Sequence, residues 1–302
     1  NPGTDVLDDP VDGEGETPVT EPWELGGEYP DDTTRSLFDA VEGAEYDTLT
    51  ALLKAHPDKL WEVDSQNHTL VLVAVLRNRV RAVQILLAAA RDSGQDYAEW
   101  LNKRNDNNYS VFLGAASHGL ALVLEELIQE PLVDVGIAEN DIPIKIAVLQ
   151  NYPDAVAVMA KHPKVNVNAD VQGHSLLSFS LLMKKAPMVK VLLECDRVVV
   201  SDHVQLTEER FSPSLGVACT QGLTEVVRLM LAKGVDATAT DSDKDTPLHL
   251  ACYGKDTEIV QMLTAHPGVD KEALNNLGTT PLGVAILNGS RTNIKTMLEC
   301  GA

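Results

Sequence analysis

The chain has 302 residues, of which 44% are hydrophobic and only 4% aromatic, so Ala, Leu and Val supply most of its apolar mass. Its net charge of −21 at pH 7 disfavours binding to nucleic acid or to an anionic membrane and favours basic partners. No apolar run approaches the roughly 20 residues that a membrane-spanning helix requires, and no signal-peptide pattern opens the chain.

The four cysteines are too widely spaced for a zinc knuckle of the C-x-x-C kind, and we expect free thiols, most of them buried. They are Cys195, Cys219, Cys252 and Cys300. Free thiols are typical of a reducing compartment, so the cytoplasm or the nucleus is the expected location. The chain begins with Asn1 rather than Met, so we expect it to be a fragment. Met297 and Leu298 would leave an apolar end exposed, so we expect the natural protein to continue beyond residue 302.

Residues 1–34 contain eleven acidic residues, several Pro and Gly, and no Lys or Arg. Such a composition cannot build a core, so this segment is predicted to be a flexible or docking extension of a repeat domain at 35–302. Trp23 and Leu25 are its candidate anchors. Two interpretations remain open: the extension docks on the repeat domain itself, or it binds a partner of that domain.

A self-comparison of the remaining chain reveals eight repeated units, each marked by a small reference residue. The reference residues are Ala40, Ala74, Ala115, Ala147, Ser180, Ala218, Ala251 and Ala285. Their spacings are 34, 41, 32, 33, 38, 33 and 34 residues. Every unit has an apolar residue three places before the reference, an aliphatic residue nine places after it, and Leu or Met twelve places after it.

Each unit is predicted to be a helix–turn–helix. The apolar residues three places before the reference and at the reference share one face of a first helix, and those nine and twelve places after it share a face of a second. Four places after the reference, five of the eight units have Gly or Asn, which tolerate the left-handed conformation that ends a helix. A single hairpin cannot bury its own apolar face, so the units are expected to stack.

Irregular spacings locate two insertions. The 41-residue spacing includes Tyr97 and Trp100 in an insertion that we expect to hold an extra half-turn of helix, and the 38-residue spacing marks another around residues 197–203. Both lengthen loops, and loops that depart from the common pattern are where specificity is expected. The first unit is polar enough to be an N-terminal cap.

The seventh unit contains TPLHLA at 246–251, and the eighth contains TPLGVA at 280–285. Thr246 can cap a helix, and Pro247 suits the first turn because its missing N–H costs nothing there. With this pattern the chain resembles the ankyrin-repeat family, whose signature is T-P-L-H-x-A, over roughly residues 35–302. The resemblance implies an all-α solenoid of paired antiparallel helices with projecting loops, and it makes His249 a hydrogen-bonding strut rather than a catalytic base.

The resemblance also implies a concave groove, lined by the loops between units and by the first helices, that holds a protein. These loops carry a net charge of −12, whereas the whole repeat region carries −10. The candidate acidic contacts are Asp64, Asp106, Glu139, Asp141, Asp170, Asp241, Asp243 and Asp245. Two interpretations are open: an acidic docking surface for a basic partner, or Asp residues that are present because they suit turns.

Aromatic residues occur in two consecutive loops. Trp61, Trp100 and Tyr109 are candidate exposed anchors for a partner, and beside carboxylates they could surround a cationic side chain. The alternative is that each Trp packs against its neighbouring loop.

We found no nucleotide-binding, hydrolase or metalloprotease motif, and the basic residues do not cluster in a stripe. We therefore expect no catalytic, cofactor or metal site, and a monomer that binds neither nucleic acid nor membrane. The leading hypothesis is a protein-binding scaffold, an adaptor or chaperone-like escort, that holds a basic protein. The alternatives are a targeting module of a longer protein or effector, which recognises a short linear motif with little charge dependence, and a purely structural spacer.

Overall fold

A computed structural model describes residues 28–136, 140–200, 203–207 and 210–302. Within these ranges the chain is mostly helical, and sixteen of its helices form eight consecutive hairpins. The first helices of the hairpins are α1 (Asp32–Glu42), α3 (Leu70–Leu76), α6 (Val111–Ser117), α8 (Ile142–Gln150), α10 (Leu176–Leu182), α12 (Ser214–Thr220), α14 (Pro247–Tyr253) and α16 (Pro281–Leu287). The second helices are α2 (Tyr46–Ala55), α4 (Val80–Asp92), α7 (Ala121–Leu127), α9 (Pro153–Lys161), α11 (Ala186–Glu194), α13 (Thr224–Ala232), α15 (Thr257–Ala265) and α17 (Arg291–Glu299).

The eight predicted units are confirmed. Each reference residue lies on a first helix, and none is more than 2% exposed. First helices pack on the first helices of adjacent units and second helices on second helices, so one continuous apolar core runs along the stack. None of the helices in the described ranges is long and apolar enough to cross a bilayer.

The turn inside each hairpin follows one rule in seven of the eight units. The residue four places after the reference has a positive φ, as the Gly or Asn residues there predict. In two of these seven units the residue is neither Gly nor Asn: Ala44 has a φ of 57° and Lys184 a φ of 55°. A side chain makes this conformation costly, so these two turns carry local strain.

Five first helices begin with a Ser or Thr that accepts a hydrogen bond from the backbone N–H three residues later, as a helix cap does. These residues are Thr69, Ser110, Ser175, Thr246 and Thr280. The predicted cap at Thr246 is therefore confirmed. The fourth unit differs, because Asp141 precedes α8 with a φ of 62° and its side chain forms no cap.

The insertions add short elements to the loops. A four-residue helix, α5 (Ala98–Leu101), confirms the predicted half-turn. Strands β1 (Asp170–Val171) and β2 (His174–Ser175) form one small antiparallel pair, and β3 (His203–Gln205) and β4 (Phe211–Pro213) form another, in the second insertion. At the start of the stack, α1 begins three residues before the predicted boundary at 35.

Candidate partner-binding surface

Backbone hydrogen bonds join some of the neighbouring loops before the first helices. The N–H of Asp106 donates to the carbonyl of Gln66 at 3.0 Å, and the N–H of Asn276 donates to the carbonyl of Asp243 at 2.9 Å. These bonds fix the loop before α6 against the loop before α3, and the loop before α16 against the loop before α14.

A side-chain oxygen at the start of four loops organises the turn that follows. Asp64, Asn105, Asp241 and Asn275 each accept the backbone N–H of the residue four places later. For Asp64 the distance is 2.8 Å, and its same oxygen also accepts from the N–H of Gln66 at 2.9 Å. Asp and Asn are present at these positions because the turn requires an acceptor, which is the turn interpretation left open above.

Two of the candidate acidic contacts are buried. Asp64 is 4% exposed and binds the Nδ1 atom of His68 at 2.8 Å, and Asp245 is 5% exposed and accepts from Nδ2 of Asn275 at 2.8 Å. The expectation that these two carboxylates lie on the surface is therefore wrong. Their hydrogen bonds stabilise the loops instead.

Three candidate carboxylates are exposed: Asp106, Asp170 and Asp243. Asp106 accepts from Nδ2 of Asn67 in the preceding loop at 2.7 Å, and Asp243 forms an ion pair with Arg210 at 2.8 Å.

Asp141 and Asp241 are half-buried. Asp141 accepts from Nδ2 of Asn166 at 2.8 Å. Three other sequence candidates, Trp23, Leu25 and Glu139, lie outside the described residues.

The expectation of exposed tryptophan anchors is wrong. Trp100 is 6% exposed, Trp61 is half-buried, and their rings meet edge to face with centroids 5.6 Å apart. The alternative, in which the two residues pack between neighbouring loops, is confirmed. Tyr109 is half-buried, so it presents only part of its ring.

The pKa values of two equivalent carboxyl groups, in different loops, are shifted in opposite directions. Burial raises the pKa of Asp64, but hydrogen bonds from the ring and backbone of His68 outweigh burial and leave the pKa below its usual value. At the equivalent position, burial raises the pKa of Asp241, and the negative charges of Asp245 and Asp243 raise it further, above its usual value. The two pKa values differ because His68 donates to Asp64, whereas Asp245 and Asp243 place negative charges beside Asp241.

The cysteines are free thiols. Burial raises the pKa of Cys252 to about 12, and it also raises the pKa of Cys219. A protonated, buried thiol is a poor nucleophile. Among the described residues, no group of three or more His, Cys, Asp or Glu side chains is arranged to hold a metal ion.

The sequence analysis missed exposed apolar side chains in the fourth and fifth units. Ile142 is 42% exposed, Leu149 is 42% exposed and Met183 is 52% exposed, and Ile146 is half-buried beside them on α8. We call these four residues the apolar patch. The available signal was the sequence IPIKIAVLQ of α8, which is apolar except for Lys145 and Gln150 although the helix is not surrounded by protein.

The comparisons with known proteins agree with this architecture. Residues 215–302 match the family described as ankyrin repeats in three copies. The tyrosine-protein kinase HTK16 of Hydra vulgaris is 28% identical over 121 residues, which cover 39% of this chain and 16% of the kinase. The ankyrin repeat protein nuc-2 of Neurospora crassa is 26% identical over 288 residues, which cover 90% of this chain and 25% of nuc-2.

This chain thus spans a quarter or less of the length of these two relatives. Among solved structures, the ankyrin repeat domain of Bcl-3 superposes with a TM-score of 0.53 at 20% identity, covering 78% of this chain and 99% of that domain. At this identity the likeness concerns the fold. The match over residues 215–302, the eight stacked hairpins and the likeness to a solved ankyrin repeat domain support the ankyrin-repeat family for this chain.

Proposed function

We propose that this chain is a non-catalytic protein-binding scaffold, an adaptor or chaperone-like escort, whose groove and acidic loops hold a basic protein partner. Ankyrin repeats generally mediate protein–protein interaction. The observation that supports the basic partner is that the carboxylates of Asp106, Asp170 and Asp243 are exposed on three of the loops before the first helices.

Electrostatics supports this assignment. The net charge of −21 attracts basic proteins over long distances and repels nucleic acid and anionic membranes. The exposed carboxylates would also orient the partner, because they would pair with Lys or Arg side chains spaced along it. We place the protein in the cytoplasm or the nucleus, as a monomer before it meets its partner.

The test is an affinity capture from a cell extract, with residues 1–302 as bait, at low salt and at roughly 0.5 M salt, where charge attraction is screened over about 3–5 Å. A second bait starts at residue 28, since the carbonyl of Glu28 accepts from the N–H of Ser65 and Asp31 caps α1. We expect a stoichiometric basic protein that is lost at high salt.

A partner that survives high salt would instead support recognition of a short motif with little charge dependence. Absence of any stoichiometric partner at both salt concentrations would support the structural spacer. The shorter bait shows whether the acidic extension contributes, since weaker capture of the same protein would place residues 1–27 in the complex.

A further inference from the structure

The surface of the eighth unit that faces away from the seventh is apolar and uncovered. In each of the other seven units, the residue directly after the reference residue is at most 1% exposed, where the first helices of adjacent units pack on each other. These buried residues are Val41, Val75, Ala116, Val148, Leu181, Cys219 and Cys252. The equivalent residue of the eighth unit, Ile286, is 56% exposed.

Three further positions of the eighth unit show the same difference. The apolar residue three places before the reference and the aliphatic residue nine places after it are buried in the other seven units, but Leu282 and Ile294 are only half-buried. Thirteen places after the reference, the other seven residues are buried or half-buried, but Leu298 is 57% exposed. We call Leu282, Ile286, Ile294 and Leu298 the end face. The sequence-based expectation of an exposed apolar end is confirmed for Leu298 and wrong for Met297, which is fully buried.

The opposite end of the stack is polar. Four places before the reference, the residue is buried in the second to eighth units, whereas the first unit has Ser36, which is exposed. One place before the reference, the first unit has Asp39, which is also exposed. Terminal units of repeat proteins carry polar outer faces because those faces stay in water. The first unit follows this rule, but the eighth unit keeps the apolar residues of an internal unit.

We propose that the end face binds a ninth helical hairpin of the same polypeptide. This inference goes beyond the proposed function, because it involves none of the loop carboxylates. Seven interfaces of this kind already join consecutive units of the chain. A hairpin joined to the eighth unit by a loop docks as an intramolecular step, at a high effective concentration. A second copy is disfavoured as the occupant, since two chains of net charge −21 repel each other.

Thiol labelling shows directly whether the end face is covered in the natural protein. Ile286→Cys and Leu298→Cys are introduced singly, both in residues 1–302 and in the natural protein, and the native proteins are treated with a maleimide. Peptide mass spectrometry gives the labelling rate at each position. Both introduced thiols should react readily in residues 1–302 and about tenfold or more slowly in the natural protein, because a thiol inside an interface reacts only when the interface opens.

Leu122→Cys on α7 is the matched control, because Leu122 is 57% exposed, as Leu298 is, but belongs to the third unit. Its thiol should react at the same rate in both proteins. Cys252, which is fully buried in the seventh unit, should stay unlabelled in both and so show that the variants are folded.

Three results would overturn the ninth hairpin. Equally fast labelling at positions 286 and 298 in the two proteins would mean that the end face is uncovered. Protection at only one of the two positions would exclude a hairpin, which covers the first and the second helix together. Protection in residues 1–302 that increases with protein concentration would assign the end face to a second copy. None of these results bears on the proposed function, which depends on the salt sensitivity of capture.

Discussion

Nδ1 of His68 lies 2.8 Å from Oδ2 of Asp64, and this buried pair closes the loop before α3. The loop before α14 has the same turn, but Asp241 and Asp245 take the places of Asp64 and His68. One backbone design thus holds an acid–imidazole pair in one loop and two carboxylates in another.

We expect the two loops to respond oppositely to pH. The folded-state pKa of Asp64 is below its unfolded value, so its contribution to stability is present above about pH 4 and is lost as pH falls through the folded pKa. Asp64→Asn should therefore lower the free energy of unfolding by about 1–2 kcal/mol at pH 7 and by less at pH 3. The measurement is urea unfolding at both pH values.

Asp241 gives the matched comparison. Its folded-state pKa is raised, so ionisation destabilises the loop at neutral pH, and that penalty disappears as pH falls through the folded pKa. Asp241→Asn keeps the acceptor for the backbone N–H groups and should be neutral or stabilising at pH 7. Equal pH dependence of the two variants would contradict the assigned causes.

His249 should be one of the most sensitive positions in the last two units. It is fully buried, its Nδ1 accepts from the N–H of Thr246 at 3.1 Å, and its Nε2 lies 3.0 Å from the carbonyl oxygen of Thr279 in the next loop. His249→Leu leaves both backbone groups without this partner and should cost about 2–3 kcal/mol in urea unfolding. The same substitution at exposed His56 should change stability by less than about 0.5 kcal/mol.

The strained turn at Ala44 should be relieved by glycine. Ala44 has a φ of 57°, so Ala44→Gly should raise the free energy of unfolding by about 0.5–1 kcal/mol. In the reverse change, Gly222→Ala, the added Cβ meets no atom within 4 Å, but the residue keeps a φ of 69°. This change should lower the free energy of unfolding by a similar amount. A destabilising Ala44→Gly in chemical denaturation would show that the turn is not strained.

Arg197 joins the fifth unit to the fourth. Its guanidinium donates to the carbonyls of Ala160, His162, Pro163 and Val165 at 2.7 to 3.2 Å, where α9 ends and its carbonyls lack partners. Arg197→Ala should lower the free energy of unfolding by about 2–3 kcal/mol, since hydrogen bonds to a charged donor are stronger than neutral ones.

Arg197→Lys tests the geometry, because a single ammonium can satisfy only part of this set. The free energy of unfolding of this variant should lie between those of the wild type and the Ala variant. A loss for exposed Arg291→Ala as large as for Arg197→Ala would argue against a specific cap.

The apolar positions that repeat around each reference residue predicted all eight hairpins, because helix periodicity and the capping of TPLHLA are local properties of the sequence. The same repeated positions did not predict the left-handed turns at Ala44 and Lys184, where packing of the two helices imposes a conformation that the residue itself disfavours. The short β3–β4 hairpin in the second insertion was also missed.

The candidate site was predicted less well. Asp64, Asp245 and Trp100 were expected at the surface because each was predicted to lie in a loop, but all three are buried. Asp245 and Trp100 contact the neighbouring loop, through Asn275 and Trp61. Such contacts join residues 30 or more positions apart, as Asn275 and Asp245 show, and no local pattern reveals them. The apolar patch was missed for the converse reason, since an apolar helix normally indicates burial.

The central claim is that exposed loop carboxylates hold a basic protein. Variants that replace these carboxylates by uncharged amides test it most directly. The triple variant Asp106→Asn, Asp170→Asn and Asp243→Asn is compared with a control of equal charge change on second helices, Asp154→Asn, Glu225→Gln and Glu299→Gln. Each is used as bait at low salt, and the captured proteins are quantified by mass spectrometry. We expect the basic partner to be retained by the control and lost from the triple loop variant; equal retention by both would contradict the account.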